Sequence, residues 1–60
     1  MDYVINVGNT KSDIQPHECA AIERVAILRA QHLAETFKYV DVTYSPETDA
    51  DTDVLVWKNY

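Results

Sequence analysis

The feature that most constrains the fold is the stretch of residues 16–37, in which apolar side chains recur every three or four positions. That spacing is typical of one face of an amphipathic helix. Pro16 suits the first helical position, where its missing N–H would have no partner. The stretch therefore predicts one long helix. Its apolar stripe would consist of Cys19, Ile22, Ala26, Ala30, Leu33 and Phe37, with Val25 at one edge.

Three shorter segments have the patterns of β-strands. Residues 2–7 and 39–44 alternate between apolar and polar side chains, as half-buried strands do. Residues 53–58 contain the most continuously apolar run of the chain, Val54-Leu55-Val56-Trp57, and such runs favour a central, covered position in a sheet. Gly8 follows the first predicted strand in a polar loop, and we expect it to adopt a positive φ.

These elements predict one domain over residues 1–60, of class α+β and element order β-α-β-β. We expect one long helix packed on one face of a three-stranded, mainly antiparallel sheet. The preferred strand order is 1-3-2, with the apolar third strand in the middle. The alternative order, 1-2-3, makes the first two strands a right-handed parallel crossover. In either order, two strands remain as edges open to another chain.

The composition bears on compartment and chemistry. A single cysteine cannot form a disulfide within the chain, the first residues do not resemble a signal peptide, and no apolar run approaches the ~20 residues that span a bilayer. We therefore expect a soluble cytoplasmic protein. Cys19 is expected in the core rather than as a nucleophile, and His17 and His32 lack the spacing of paired metal ligands. We expect no metal and no cofactor.

The net charge of −5 is concentrated in one segment. Residues 39–53 hold five acids and no Lys or Arg, whereas residues 1–38 hold five acids against four basic residues, and Lys58 is the fifth base. Direct binding to nucleic acid or to an anionic membrane requires clustered Lys and Arg. Both are therefore disfavoured.

The acidic residues of this segment have a regular spacing. Glu47, Asp49, Asp51 and Asp53 are two residues apart, so an extended backbone would place their carboxylates on one side, ~6–7 Å apart. Such a row resembles successive phosphates and would fit a basic groove on another protein. The alternative is a solvated loop whose charges keep an open sheet edge from aggregating. A calcium loop is disfavoured, since Val54 stands where its glycine belongs.

Aromatic residues are numerous for a chain of this length, and some of them must lie at sheet edges or on the face away from the helix. Tyr44 and Trp57, next to the acids, are candidate contacts for a protein partner, because Tyr and Trp anchor interfaces at low entropic cost. The same aromatics are equally compatible with a second small core formed by dimerisation.

The sequence contains no motif that indicates a reaction, and we do not expect an enzyme. In its small size, acidity and lack of a catalytic motif, the chain resembles phage-encoded inhibitors of the anti-CRISPR and DNA-mimic type. The residues that carry this resemblance are Asp41, Glu47, Asp49, Asp51 and Asp53.

The resemblance implies a non-catalytic protein in the host-cell cytoplasm that blocks the nucleic-acid site of a basic protein or complex, such as a CRISPR effector. The partner-binding residues would be these five acids with Tyr44 and Trp57. The alternative function is a small structural or regulatory homodimer, assembled through a sheet edge or through the helix flanks at Ile27 and Leu28.

Overall fold

The computed structural model describes residues 2–46 and 53–60. Within these residues, four strands form one antiparallel sheet in the order β2-β1-β3-β4. The strands are β1 (Tyr3–Gly8), β2 (Gln15–Ala20), β3 (Tyr39–Tyr44) and β4 (Val54–Lys58). A 3-10 helix (Lys11–Asp13) joins β1 to β2, and the α-helix α1 (Glu23–Leu33) joins β2 to β3. The predicted α+β class, with one helix against an antiparallel sheet, is confirmed.

The core lies between α1 and the two central strands. Ile5 pairs with Val42 and Val7 pairs with Val40 across β1 and β3, and Ile5, Val40 and Val42 are fully buried. Because side chains alternate along a strand, these residues share the sheet face that α1 covers. The helix contributes side chains small enough for a close approach. The buried residues from the helix and β2 are Ala20, Ala26 and Ala30.

The predicted helix over residues 16–37 is wrong at both ends, since α1 spans Glu23–Leu33 only. Residues 15–20 form the edge strand β2, which pairs antiparallel with β1. Pro16 is compatible with this position, because an edge strand has backbone groups that need no ladder partner. Pairing of residues 15–20 with β1 also gives partners to backbone groups of β1, which a longer helix would leave unpaired, so tertiary contacts override the local helical pattern.

The predicted strand number and order also differ from the structure. The third predicted strand, β4, lies at an edge and not in the middle, so the order 1-3-2 is wrong. The alternative order places β1 beside β3 correctly but makes them parallel, whereas they are antiparallel. The chain reverses direction between β1 and β2, and α1 then crosses over β1 to reach β3. β3 therefore runs parallel to β2 and antiparallel to β1.

Two residue-level predictions are also corrected. Gly8 does not have a positive φ. Its role is steric, because a Cβ built there would lie 2.9 Å from the Asp13 carbonyl oxygen and 2.9 Å from the Ile14 Cα. Cys19 is exposed on β2 and is not a core residue.

Candidate partner-binding surface

Asp41 lies at the centre of a polar network on the sheet face opposite the helix. It is only 6% exposed. The Asn6 Nδ2 donates to Asp41 Oδ1 over 2.7 Å, and the Tyr60 hydroxyl donates to Asp41 Oδ2 over 3.0 Å. The Asn6 amide also donates to the Thr43 hydroxyl over 3.2 Å. Both carboxylate oxygens therefore have partners within the chain, and Asp41 does not lie on an acidic surface as the sequence predicted.

The end of the chain is bound to β3 beside this network. The Asn59 N–H donates to the Val40 carbonyl over 3.1 Å, and the Val40 N–H donates to Asn59 Oδ1 over 2.8 Å. The Tyr60 ring meets the Tyr39 ring edge to face at 5.3 Å, and the Lys58 Nζ lies 5.1 Å from the Tyr60 ring centre. Burial, followed by the hydrogen bond to Asp41 and the charge of Asp41, raises the pKa of the Tyr60 phenol.

The two predicted aromatic contacts lie on the other face of the sheet. Tyr44 and Val42 are two residues apart on β3, and Trp57 pairs with Val42, so all three share the helix side. Tyr44 is half-buried and packs against Tyr3, with ring centres 4.7 Å apart. Trp57 is half-buried against the core. The structure therefore does not bring Tyr44 and Trp57 together with Asp41 on one surface.

Of the four regularly spaced acids, Asp53 is the one that the structure describes. It is exposed immediately before β4, and its carboxylate accepts a hydrogen bond from the Ser45 hydroxyl. Glu47, Asp49 and Asp51 lie outside the described residues. The row of four acids therefore stays a prediction.

Sequence reasoning missed an exposed apolar edge next to Asp53. Val54 is 47% exposed and Leu55 is 52% exposed, because β4 is the outer strand. The continuous apolar run suggested a buried strand. Lys58, at the end of this run, indicates an edge strand instead, since lysine is common in edge strands.

An open groove of about 250 Å³ lies between the end of β1 and the start of β2, away from β4. Gly8 and Phe37 line it, and the ionisable side chains that line it among residues 2–46 and 53–60 are those of Asp13 and His17. The His17 ring lies 5.7 Å from the Phe37 ring. One acid and one histidine in an open groove do not define a reaction. Among the described residues, no group of three or more His, Cys, Asp or Glu side chains could hold a metal ion.

In the part of the chain that the structure describes, no helix has the length and apolar character needed to cross a membrane. Comparisons with protein-family models, curated proteins and solved structures give no significant match to this chain.

Proposed function

We propose that this chain is a non-catalytic binding protein that inhibits a basic nucleic-acid-binding protein by presenting carboxylates to its nucleic-acid site. A CRISPR effector is a partner of the required chemistry, as for phage anti-CRISPR proteins. The acids that carry the proposal are Glu47, Asp49, Asp51 and Asp53. Asp41 is not among them, because its oxygens accept hydrogen bonds from Asn6 and Tyr60.

The observation that supports this function best is the connection between β3 and β4. These strands are adjacent and antiparallel, and their connection comprises residues 45–53. Hairpin connections are usually about 2–5 residues long. The additional length is not needed to reverse the chain, and long loops are where binding residues are commonly found. Four of the nine residues in this connection are acidic and none is basic.

The charge of the remaining surface makes the acidic connection the main electrostatic feature. Outside residues 39–53 the chain has equal numbers of acidic and basic residues. A basic partner would therefore be attracted to one end of the sheet, where β3 ends and β4 begins. Complementary charge of this kind raises the association rate and fixes the orientation of the complex.

The test is displacement of labelled DNA or RNA from a panel of CRISPR effectors and other basic nucleic-acid-binding proteins. We expect displacement by the natural chain to weaken as salt is raised, because the contact is ionic. We expect it to be lost when four acids are replaced by their amides: Glu47→Gln, Asp49→Asn, Asp51→Asn and Asp53→Asn.

A matched control changes the net charge equally at four exposed acids elsewhere, with Asp2→Asn, Asp13→Asn, Glu23→Gln and Glu35→Gln. This control should displace nucleic acid as the natural chain does. Retained displacement by the first variant, or equal loss in both, would contradict the proposed mechanism.

A further inference from the structure

The outer side of β4 is a second candidate contact, which shares Asp53 with the acidic connection. β4 ends the sheet, so in the described residues no strand pairs with its outer backbone groups. The opposite edge strand, β2, contains Pro16, which has no N–H to donate. β4 contains no proline, and its Val54 and Leu55 side chains are about half exposed. An edge of this kind is a template for pairing with another strand.

A bulge in β4 determines which of its side chains share a face. Trp57 pairs with Val42 and Leu55 pairs with Thr43, so Val56 is an extra residue. Lys58 pairs with Asp41, on the face away from the helix. Leu55, opposite Thr43, lies on that same face. Alternation extended by one residue beyond β4 places Asp53 there as well, in keeping with its hydrogen bond to Ser45. Without the bulge, an odd spacing of five residues would put Asp53 and Lys58 on opposite faces.

We propose that β4 is a dimerisation edge that takes a second copy of this chain in antiparallel pairing about a two-fold axis at Leu55. Because Val56 is an extra residue in each strand, Asp53 and Lys58 both lie two ladder positions from Leu55. In this register Asp53 therefore lies opposite Lys58 of the partner subunit, and Lys58 lies opposite Asp53 of the partner subunit. Leu55 meets its own copy at the axis. The same surface serves both subunits, as two-fold symmetry requires.

The charges of the strand select this arrangement over the others. β4 has an acid before its first residue and a base at its last residue, so two antiparallel copies form two carboxylate–ammonium pairs. Parallel pairing would instead place Asp53 beside Asp53 and would bring the two acidic connections together. Antiparallel pairing puts those connections at opposite ends of the interface, where their mutual repulsion is screened.

The size of the edge sets the strength of the dimer. A five-residue strand forms a smaller contact than a standard interface of about 1,600 Å², so the dimer should dissociate on dilution. The dimer goes beyond the proposed inhibitor function. If both hold, each dimer carries two acidic connections and can bind a repeated basic site with increased avidity.

The experiment measures the mass of the natural chain by sedimentation velocity over a range of concentrations. We expect monomer at low concentration and dimer at high concentration. Asp53→Lys and Lys58→Asp should each weaken dimerisation about tenfold, because each variant places like charges opposite one another at two positions. The double variant D53K/K58D should dimerise as the natural chain does.

A mixture of the two single variants gives the sharpest result. One strand then carries Lys at both positions and the other carries Asp at both, so a mixed dimer should form more readily than either variant's own dimer. Asp13→Lys and Lys11→Asp make the same charge changes at exposed positions in the connection between β1 and β2, and should leave the natural dimer unchanged.

Circular dichroism and thermal melting of each variant separate loss of the dimer from loss of the fold. A monomer at every soluble concentration, or a dimer equally insensitive to all four substitutions, would overturn the proposal. So would single variants that fail to form a mixed dimer while remaining folded. The variant with Glu47, Asp49 and Asp51 neutralised keeps Asp53, so it tests the inhibitor function while leaving the dimer intact.

Discussion

Asp41 is a buried acid whose hydrogen-bond partners, Asn6 and Tyr60, come from β1 and from beyond the end of β4. It belongs to the acidic segment in sequence, yet its side chain is almost fully covered on the sheet face that the helix leaves open. The covering groups come from distant parts of the chain, since Asn6 is 35 residues away and Tyr60 is 19 residues away. A carboxylate in this position is stable because charge-assisted hydrogen bonds replace its lost hydration.

Replacing Tyr60 by Phe removes one of those hydrogen bonds and retains the ring contact with Tyr39. Because Tyr60 is 41% exposed, we expect a loss of only about 1 kcal/mol in the free energy of unfolding at neutral pH. Urea denaturation followed by Trp57 fluorescence measures this. Tyr39→Phe is the matched control and should cost less, since no hydrogen bond of its hydroxyl is seen among the described residues.

The stability difference between the natural chain and Tyr60→Phe should also depend on pH. The folded state raises the pKa of the Tyr60 phenol above the ordinary value of about 10, so the folded protein holds this proton more tightly than the unfolded chain. The stabilisation is therefore fully present below pH ~10 and is lost as the pH rises through the folded-state pKa. The stability difference between the natural chain and Tyr60→Phe should shrink over that range. A difference that stays constant or grows would contradict the contact.

At the scale of elements, the turn from β1 into the 3-10 helix depends on a close backbone approach at Gly8. A Cβ at this position would lie 2.9 Å from both the Asp13 carbonyl oxygen and the Ile14 Cα, which is too close for van der Waals contact. Both are backbone atoms, so they cannot move aside as the end of a flexible side chain can. This approach returns the chain toward β1 and allows Gln15–Ala20 to pair with it.

Gly8→Ala should therefore destabilise the fold by about 1–3 kcal/mol, as overpacking at a fixed site does. Asn9→Ala, at the exposed neighbouring position, is the control and should change stability by less than about 0.5 kcal/mol. Thermal melting by circular dichroism measures both. Equal stability of the two variants would show that the backbone can relax at Gly8.

At the scale of the whole molecule, self-association and stability are linked. A chain of 60 residues has little stability in reserve, and a partner that binds only the folded state adds to it by mass action. If β4 pairs with β4 of a second copy, the melting temperature should rise with protein concentration. The rise should be about 3–5 °C per tenfold increase once the dimer predominates.

The single variant Asp53→Lys provides the comparison, since its like charges oppose the dimer. Its melting temperature should stay nearly constant over the concentration range in which that of the natural chain rises. Differential scanning calorimetry at several concentrations measures both. A natural chain whose melting temperature is independent of concentration would count against the dimer.

Local patterns in the sequence were sufficient for several parts of this protein. The alternation in residues 39–44 predicts β3 at its observed bounds, and the small helical residues Ala26 and Ala30 are in the predicted stripe and are fully buried. The class α+β and the concentration of negative charge in residues 39–53 are also properties of the sequence alone. Each depends on residues close together in the chain, where the periods of strand and helix apply directly.

Strand neighbours and residue environments were decided only by the tertiary structure. Residues 15–20 carry no strand pattern, and they form β2 because β1 offers an unpaired edge beside them. β4 is apolar and still lies at an edge, because β1 and β3 occupy the centre of the sheet. Asp41 is covered because the register of β1 places Asn6 beside it. Hydrogen-bonded pairing joins residues far apart in sequence, and no local period contains that information.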